Sequence, residues 1–304
     1  MKLYKRMYSE HKNDFKTICN FIIENNDFIA NNTSWSFQRF VDWRYGLYEH
    51  RITVPAFWEK NLILFYDPID RLIGFAICEE GGNDIAIITA RGHRYLFGQL
   101  LEDAMEIWSY KESFNVEISE KMDIEKSMLI DKGFSKCFEF YKRCVDLTSD
   151  LASKPVLPDG FKIISMETPE HYKSQRILRA HAFSGQDNLT EEELDKQMEI
   201  TYYSHCSPTY NAWTDLCVVK DNIAVSGCEA LINPWCLEAE IERICTRSNY
   251  RRQGLGKAVI IECLHRLKQM GFKKAYITGF NQEAISLYGK LGAKEEIKMY
   301  VYSK

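Results

Sequence analysis

The chain has 304 residues, 45% of them apolar and 27% charged, with a formal net charge of −4. That length admits two domains of ordinary size, and the composition is that of a soluble globular protein. The charge balance argues against nucleic acid or an anionic membrane as partner. No apolar run nears the roughly 20 residues that span a bilayer. The opening Met1-Lys2-Leu3-Tyr4-Lys5-Arg6 carries positive charge with no apolar core behind it, so a secretory signal is not expected. Ten cysteines lie scattered without CxxC pairs, which points away from zinc and disulfides and towards reduced thiols in a cytoplasm. Cys217, Cys228, Cys245 and Cys263 stand in apolar segments and are expected in the core.

In chain order, alternation and helical spacing predict a strand over Lys2–Met7 and a helix over Phe15–Asn25. Antiparallel strands follow over Leu62–Tyr66 and Leu72–Cys78, then a helix carrying Leu100, Leu101, Ala104, Met105 and Trp108. The stretch from Leu147 to Gly160, with Ser-Lys-Pro-Val-Leu-Pro-Asp-Gly at its end, reads as a linker. Beyond it come a strand over Phe161–Met166, a helix over His171–Phe183 and strands over Leu216–Val219, Ala224–Leu231 and Glu238–Thr246. Between these, Thr190-Glu191-Glu192-Glu193 reads as a capping box opening a helix through about Tyr203. After a glycine loop and an amphipathic helix, a strand is predicted over Ala275–Thr278, a helix over Asn281–Lys290 and a closing strand over Ile297–Tyr302. Antiparallel strands followed by a βαβαβ run make a mixed α/β sheet with helices on both faces.

The two halves repeat. Subtracting 159 from Val259, Ile260, Cys263, Leu264 and Leu267 gives Leu100, Leu101, Ala104, Met105 and Trp108, without a gap. The same offset carries Ile277 onto Ile118, Gly292 onto Gly133 and Tyr300 onto Tyr141. Two domains are expected, over residues 1–147 and 160–304.

The loop Asn249-Tyr250-Arg251-Arg252-Gln253-Gly254-Leu255-Gly256-Lys257 joins a strand to an amphipathic helix. Glycines there let the backbone approach a ligand, and the helix start offers free N–H groups and a positive dipole end. Arg251, Arg252 and Lys257 add cationic donors, so the loop reads as a diphosphate cradle. The alternative is an ordinary strand-to-helix turn. A Walker loop is excluded, because Arg251 replaces its first glycine and Ala258 its hydroxyl residue. Val259 excludes the dinucleotide fingerprint.

This order of elements resembles the GNAT superfamily of N-acetyltransferases. Arg251-Arg252-Gln253-Gly254-Leu255-Gly256 is similar to the element with which that family binds the coenzyme A diphosphate. Asn281-Gln282-Glu283-Ala284-Ile285-Ser286-Leu287-Tyr288-Gly289-Lys290-Leu291-Gly292-Ala293 is similar to its Asn-x-x-Ala-x-x-Leu-Tyr-x-x-Leu-Gly-Phe segment, with Ala293 in place of Phe. The resemblance covers residues 160–304; the first half matches in pattern only. It implies two tandem GNAT-like acyl-CoA N-acyltransferase domains, each a mostly antiparallel twisted sheet flanked by helices. The first is a degenerate copy: Gly254 and Gly256 map onto Tyr95 and Phe97, Asn281 onto Met122 and Tyr288 onto Leu129. Its expected role is structural, the alternative being a ligand of its own.

The resemblance further implies acetyl-CoA as co-substrate, without a metal. Backbone groups of Ile244, Cys245 and Thr246 would bind the pantetheine arm, and the loop from Arg251 through Lys257 (with Leu255) the diphosphate. Asn281 would hold the cofactor or cap its helix. Tyr288 would protonate the departing thiolate, a phenol of pKa about 10 serving a thiol near 8.5; alternatively it is a buried aromatic. Glu240 and Glu242 share a strand face and are the candidate bases, Glu240 standing where some family members carry a glutamate that acts through water. The alternative makes them edge residues paired with Arg243 or Arg247.

Tyr202, Tyr203, Tyr210, Trp213 and Trp235, with Glu191, Glu192, Glu193, Asp195 and Glu199, would suit a cationic amine of a small molecule or peptide. A solvated helix face with core aromatics explains them equally. His181 and His205 read as hydrogen-bonded structural groups. The expected function is N-acetyl transfer; the rival is a regulatory or scaffold protein that binds acyl-CoA without turnover.

Overall fold

The computed structural model describes residues 3–186 and 188–304, so Lys2 of the expected first strand lies outside the described residues. Contacts divide the chain into two compact units. The first comprises Met1–Arg44, Tyr48–Lys142 and Ile297–Lys304; the second comprises Tyr45–Leu47 and Arg143–Glu296.

The first unit begins with β1 (Tyr4–Met7), followed by α1 (Asp14–Glu24), α2 (Asn26–Asn32), α3 (Phe37–Tyr45), α4 (Glu49–Thr53) and α5 (Phe57–Asn61). Strands β2 (Leu62–Tyr66), β3 (Leu72–Cys78) and β4 (Asp84–Thr89) come next, then α6 (Phe97–Ile107), β5 (Asn115–Ser119), α7 (Asp123–Asp131) and β6 (Ser135–Asp146). The short helices between 26 and 61 carry no long periodic signal. Aromatic burial holds them instead, with Phe28, Trp35, Phe37, Phe40, Trp43 and Phe57 all in the core. β1 to β4 pair antiparallel in sequence order, and β4 pairs parallel with β5. Leu100, Leu101 and Ala104 of α6 are fully buried against Ile63, Phe65, Ile87, Val116 and Ile118.

The second unit contains β7 (Phe161–Ser165), α8 (Tyr172–Ser184), α9 (Glu191–His205), β8 (Asp215–Lys220), β9 (Ile223–Asn233) and β10 (Glu238–Thr246). Then follow α10 (Leu255–Gln269), β11 (Lys274–Gly279) and α11 (Gln282–Tyr288). The expected capping box is present: Thr190 Oγ1 accepts the Glu193 N–H at 3.2 Å, and Glu193 Oε2 accepts the Thr190 N–H at 2.8 Å. β7 to β10 pair antiparallel in order, and β10 pairs parallel with β11. Leu216 and Val218 face one core with α10, whereas Cys217 and Val219 face another with Leu178 of α8 and Met198 of α9. Alternation along one strand thus places helices on both faces of a mostly antiparallel sheet. Ala239 and Ile241 join Val259, Ile260, Cys263, Leu264 and Leu267 in the first of these cores. Each of these Val, Ile and Leu side chains contributes about 1.5–3 kcal/mol by leaving water.

The last strand, β12 (Glu295–Ser303), pairs antiparallel with β5, Tyr300 opposite Ile118. By its contacts residues 297–304 therefore belong to the first unit, whereas the sequence repeat counts them with the second half. Gly133 and Gly292, matched by the repeat, both have left-handed backbone, at φ 85° and 77°.

Candidate active site

Three observations mark a candidate site in the second unit. The first is a parting of strands. β10 and β11 are in register from Glu238↔Lys274 to Ile241↔Ile277, and their pairing stops there, although β10 runs on to Thr246 and β11 to Gly279. Ile244, Cys245 and Thr246 lie on this separated stretch. The second is a β-bulge in the same stretch. Glu242 pairs with Glu229 and Cys245 with Gly227, so Arg243 and Ile244 together oppose Cys228, and Arg243 has φ 53°. The third is the glycine turn that follows.

At that turn Arg252 and Gly254 have left-handed backbone, at φ 63° and 79°, and Gly254 is the N-cap of α10. No side chain caps α10, whereas Asn281 Oδ1 caps α11 by accepting the Ala284 N–H at 2.8 Å. The first-turn N–H groups of α10 are thus left to solvent or a ligand. The two glycines are needed for different reasons. A Cβ on Gly254 would meet nothing within 4 Å, so its backbone conformation demands glycine and the space beyond is open. A Cβ on Gly256 would touch Thr246 Oγ1 at 3.5 Å and Leu287 Cδ2 at 3.7 Å, which is ordinary contact. Arg251, Arg252 and Gln253 are exposed and Lys257 half-buried; Arg251 Nε also donates to the Thr246 carbonyl at 3.3 Å. Leu255 is buried in the core beneath the turn, so only its main chain is available on the side of the turn. His181 accepts the Ser248 N–H at 3.2 Å, which ties α8 to the start of the loop.

Tyr288 is 6% exposed, in the core that includes α10. Burial raises its pKa above the ordinary tyrosine value, and the Glu242 charge raises it further. A phenol so raised keeps its proton, and it protonates a thiolate readily only where burial has made that thiolate more basic too. Glu240 is 3% exposed, opposite Leu231 and Tyr276; Glu242 is half-buried. The alternative that made both of them solvated edge residues does not hold for Glu240.

On the face that carries Glu242, a charged network emerges that the sequence reading passed over. Register places Asp215, Glu229 and Glu242 side by side across β8, β9 and β10. Arg179 of α8 donates to Asp215 Oδ1 at 2.9 Å and Glu229 Oε2 at 3.0 Å, and Arg243 donates to the same Glu229 oxygen at 3.2 Å. Burial raises the Asp215 carboxyl to about 7. Burial would raise Glu229 as well, but Arg243 and Arg179 hold it below its ordinary value. The signal was a carboxylate inside each of two apolar strand segments, Asp215 ahead of Leu-Cys-Val-Val and Glu229 within Cys-Glu-Ala-Leu.

Among the aromatics expected at the acceptor, Tyr202 and Tyr210 are joined through the rings of Tyr172 and His205. Tyr210 stacks on His205 with centroids 3.9 Å apart, and Tyr203 stacks on Tyr45. Arg266 lies over Trp213, Trp235 is 60% exposed and Tyr202 53%. Glu191, Glu192 and Glu193 are exposed on the first turn of α9, with Asp195 and Glu199 exposed further along it. The acidic side chains thus form a solvated helix face. His205 Nε2, expected to be hydrogen-bonded, is buried without a partner.

Residues 184–293 match the family model described as "Acetyltransferase (GNAT) family". They form a GNAT-family acetyltransferase domain. The domain is an acyltransferase, and its family uses acyl-CoA. Solved structures are similar over the whole length. A tandem GNAT protein from the clavulanic acid biosynthesis pathway is 11% identical, with 100% of this chain and 98% of that one covered and a TM-score of 0.69. A GCN5-related N-acetyltransferase from Sphaerobacter thermophilus is 12% identical, with 99% and 95% covered and a TM-score of 0.61. A GNAT-family acetyltransferase from Colwellia psychrerythraea is 11% identical, with 99% and 100% covered and a TM-score of 0.57. At such identities the likeness is one of fold, here the tandem GNAT fold. A search of curated proteins returned no match.

In the first unit the turn equivalent to the GNAT cradle is built otherwise. No residue from Arg91 to Phe97 has positive φ. Of the residues matched to Gly254 and Gly256, Phe97 is fully buried in the core and Tyr95 is 60% exposed. Met122 and Leu129 are also buried in that core. Among the described residues no helix is long and apolar enough to cross a membrane, and no group of His, Cys, Asp or Glu is placed to hold a metal ion.

Proposed function

We propose that the second half transfers an acetyl group from acetyl-CoA to a primary amine of a small molecule or peptide. The observation that carries this reading is the uncapped start of α10 behind the left-handed Gly254, beside the parting of β10 and β11. A diphosphate fits the first, since it needs N–H donors and a positive dipole end. An extended amide-bearing arm fits the second, since separated strands present unpaired main-chain groups. Bound acetyl-CoA supplies the activated acyl group.

The residues of the chain then divide the work. Main-chain N–H groups from Gln253 to Lys257, with Arg251 and Arg252, bind the diphosphate. The main chain of Ile244 to Thr246 orients the thioester and polarises its carbonyl. The attacking amine must lose one proton, which Glu242 or Glu240 receives directly or through water. Glu242 is half-buried and its charge bears on Tyr288, whereas Glu240 is 3% exposed, so Glu242 is the better placed to receive it. The leaving sulfur must gain a proton or a hydrogen bond, and the Tyr288 hydroxyl offers one. Tyr210, Trp213 and the acidic face of α9 are candidates for the acceptor side. The first half serves a structural role, and a cytoplasmic setting suits the free cysteines.

Calorimetric titration with CoA, followed by thiol release from acetyl-CoA across amines and peptides, tests this. Binding with release supports the enzyme. Binding without release from any acceptor would favour an acyl-CoA-binding regulator, and absence of binding would remove both readings.

A further inference from the structure

The bulge in β10 raises a physical question, because it seats a side-chain-bearing residue in left-handed backbone. In a regular strand Arg243 would oppose Cys228 and share its face. Cys228 belongs to the apolar core under α10, its thiol directed at the Val259 carbonyl. The extra residue turns Arg243 to the other face, where its guanidinium meets Glu229 at 3.2 Å. Strain at a φ of 53° persists only where the surroundings hold it.

What holds it is itself costly. Asp215 is 0% exposed, and Arg179 and Glu229 are each 5% exposed. Three carboxylates stand in adjacent register positions, an arrangement that repels unless cations intervene. Arg179 joins Asp215 to Glu229, Gln175 donates to Asp215 at 2.6 Å, and Asp215 Oδ2 is buried without a partner. Apolar side chains would stabilise three strands at least as well as these buried ions. What the ions add is one defined backbone path two residues beyond the last β10–β11 pair, Ile241↔Ile277.

We propose that Glu229, fixed by Arg179 and Asp215, clamps Arg243 and thereby sets the bulged main chain that polarises the thioester carbonyl. The inference rests on the reading that the main chain of β10 past Ile241 receives that carbonyl. Glu229, Arg179, Asp215 and Arg243 are then positioning residues, acting through the backbone of Ile244 and Cys245.

The test uses the full chain with acetyl-CoA carrying a carbon-13 carbonyl. Infrared difference spectra report the carbonyl stretch, and calorimetry reports CoA affinity. In the wild type the bound stretch should fall below its frequency in water. In Glu229→Gln most of that displacement should vanish while CoA affinity stays within about threefold, since the glycine turn is intact. With any accepted amine, kcat should drop at least about tenfold with KM for acetyl-CoA little changed. Arg243→Ala removes the ion pair from the exposed end of the clamp and should do the same if Glu229→Gln folds poorly. Full carbonyl displacement in both variants would overturn the clamp. A wild type that binds CoA without displacing the stretch would instead overturn the underlying reading of β10, and the clamp with it.

Discussion

Arg94 and Glu125 form a two-bond ion pair in the first unit, Nε to Oε1 at 2.8 Å and Nη2 to Oε2 at 2.7 Å, with Glu125 fully buried. By the repeat Arg94 corresponds to Gln253 of the glycine turn and Glu125 to Ala284 of α11. Where the second unit leaves the start of α10 without a side-chain cap, the first closes the matching turn with a buried carboxylate. Calorimetry should therefore find one CoA site per chain, and Gly254→Val should abolish all binding. Residual binding in that variant would assign a site to the first unit.

Gly254→Ala and Gly256→Ala should separate the two glycine roles. Forcing alanine to a φ of 79° costs about 1–2 kcal/mol and shifts the N–H groups behind it. CoA affinity should fall about tenfold or more at position 254. At 256 the added methyl meets only ordinary contacts within the protein, so thermal stability should change little. A large loss of melting temperature there would contradict the contact geometry.

Tyr288→Phe should lower kcat by about tenfold with KM little changed, if the hydroxyl serves the leaving sulfur. Since burial raises this phenol, its ionisation should not appear in the rate profile below pH 9. Glu242→Gln should remove the acidic limb of the profile. A limb that persists in Glu242→Gln and vanishes in Glu240→Gln would reverse the assignment of the base.

His205 makes stability depend on pH. Burial lowers its pKa from 6.5 to about 4. Below pH 6.5 the unfolded chain takes up a proton that the folded one refuses until about pH 4. Stability present above that window should therefore fall as pH drops through it, by on the order of 3 kcal/mol. His205→Phe keeps a ring against Tyr210 and should flatten the profile measured by urea unfolding. An equal slope in the variant would place the titration elsewhere.

Lys142 is 0% exposed, and its ammonium donates to the Ala30 carbonyl at 3.0 Å and the Thr33 carbonyl at 3.2 Å, closing the end of α2. A cation at a helix C-terminus is doubly favoured, by hydrogen bonds and by the dipole. Lys142→Met keeps the stem but strands both carbonyls, so unfolding free energy should fall by about 2–4 kcal/mol. Denaturant titration measures it.

Much of this protein was legible because its signals are local. The α9 capping box spans four residues, the turn before α10 a few more, and the apolar stripes of α6 and α10 repeat within one helix each. Their geometry follows from near-neighbour sterics and hydrogen bonding, so residue order alone was enough to locate a cradle and the helix behind it. The short helices α2 to α5 escaped because none is long enough to show a period. The course of β12 beside β5 escaped because strand pairing is a contact between distant segments.

The clamp lies wholly beyond local reading. Arg179 and Asp215 are 36 positions apart, and Arg243 and Glu229 are 14 apart. What brings them together is a register across three strands and one extra residue in β10. A slip of one position in any of these strands would have sent its side chain to the opposite face, away from Arg179 of α8. The amino-acid order determined that a glycine turn would open onto an amphipathic helix; only the tertiary structure decided which charges hold the strand beside it, because that depends on pairings no single segment encodes.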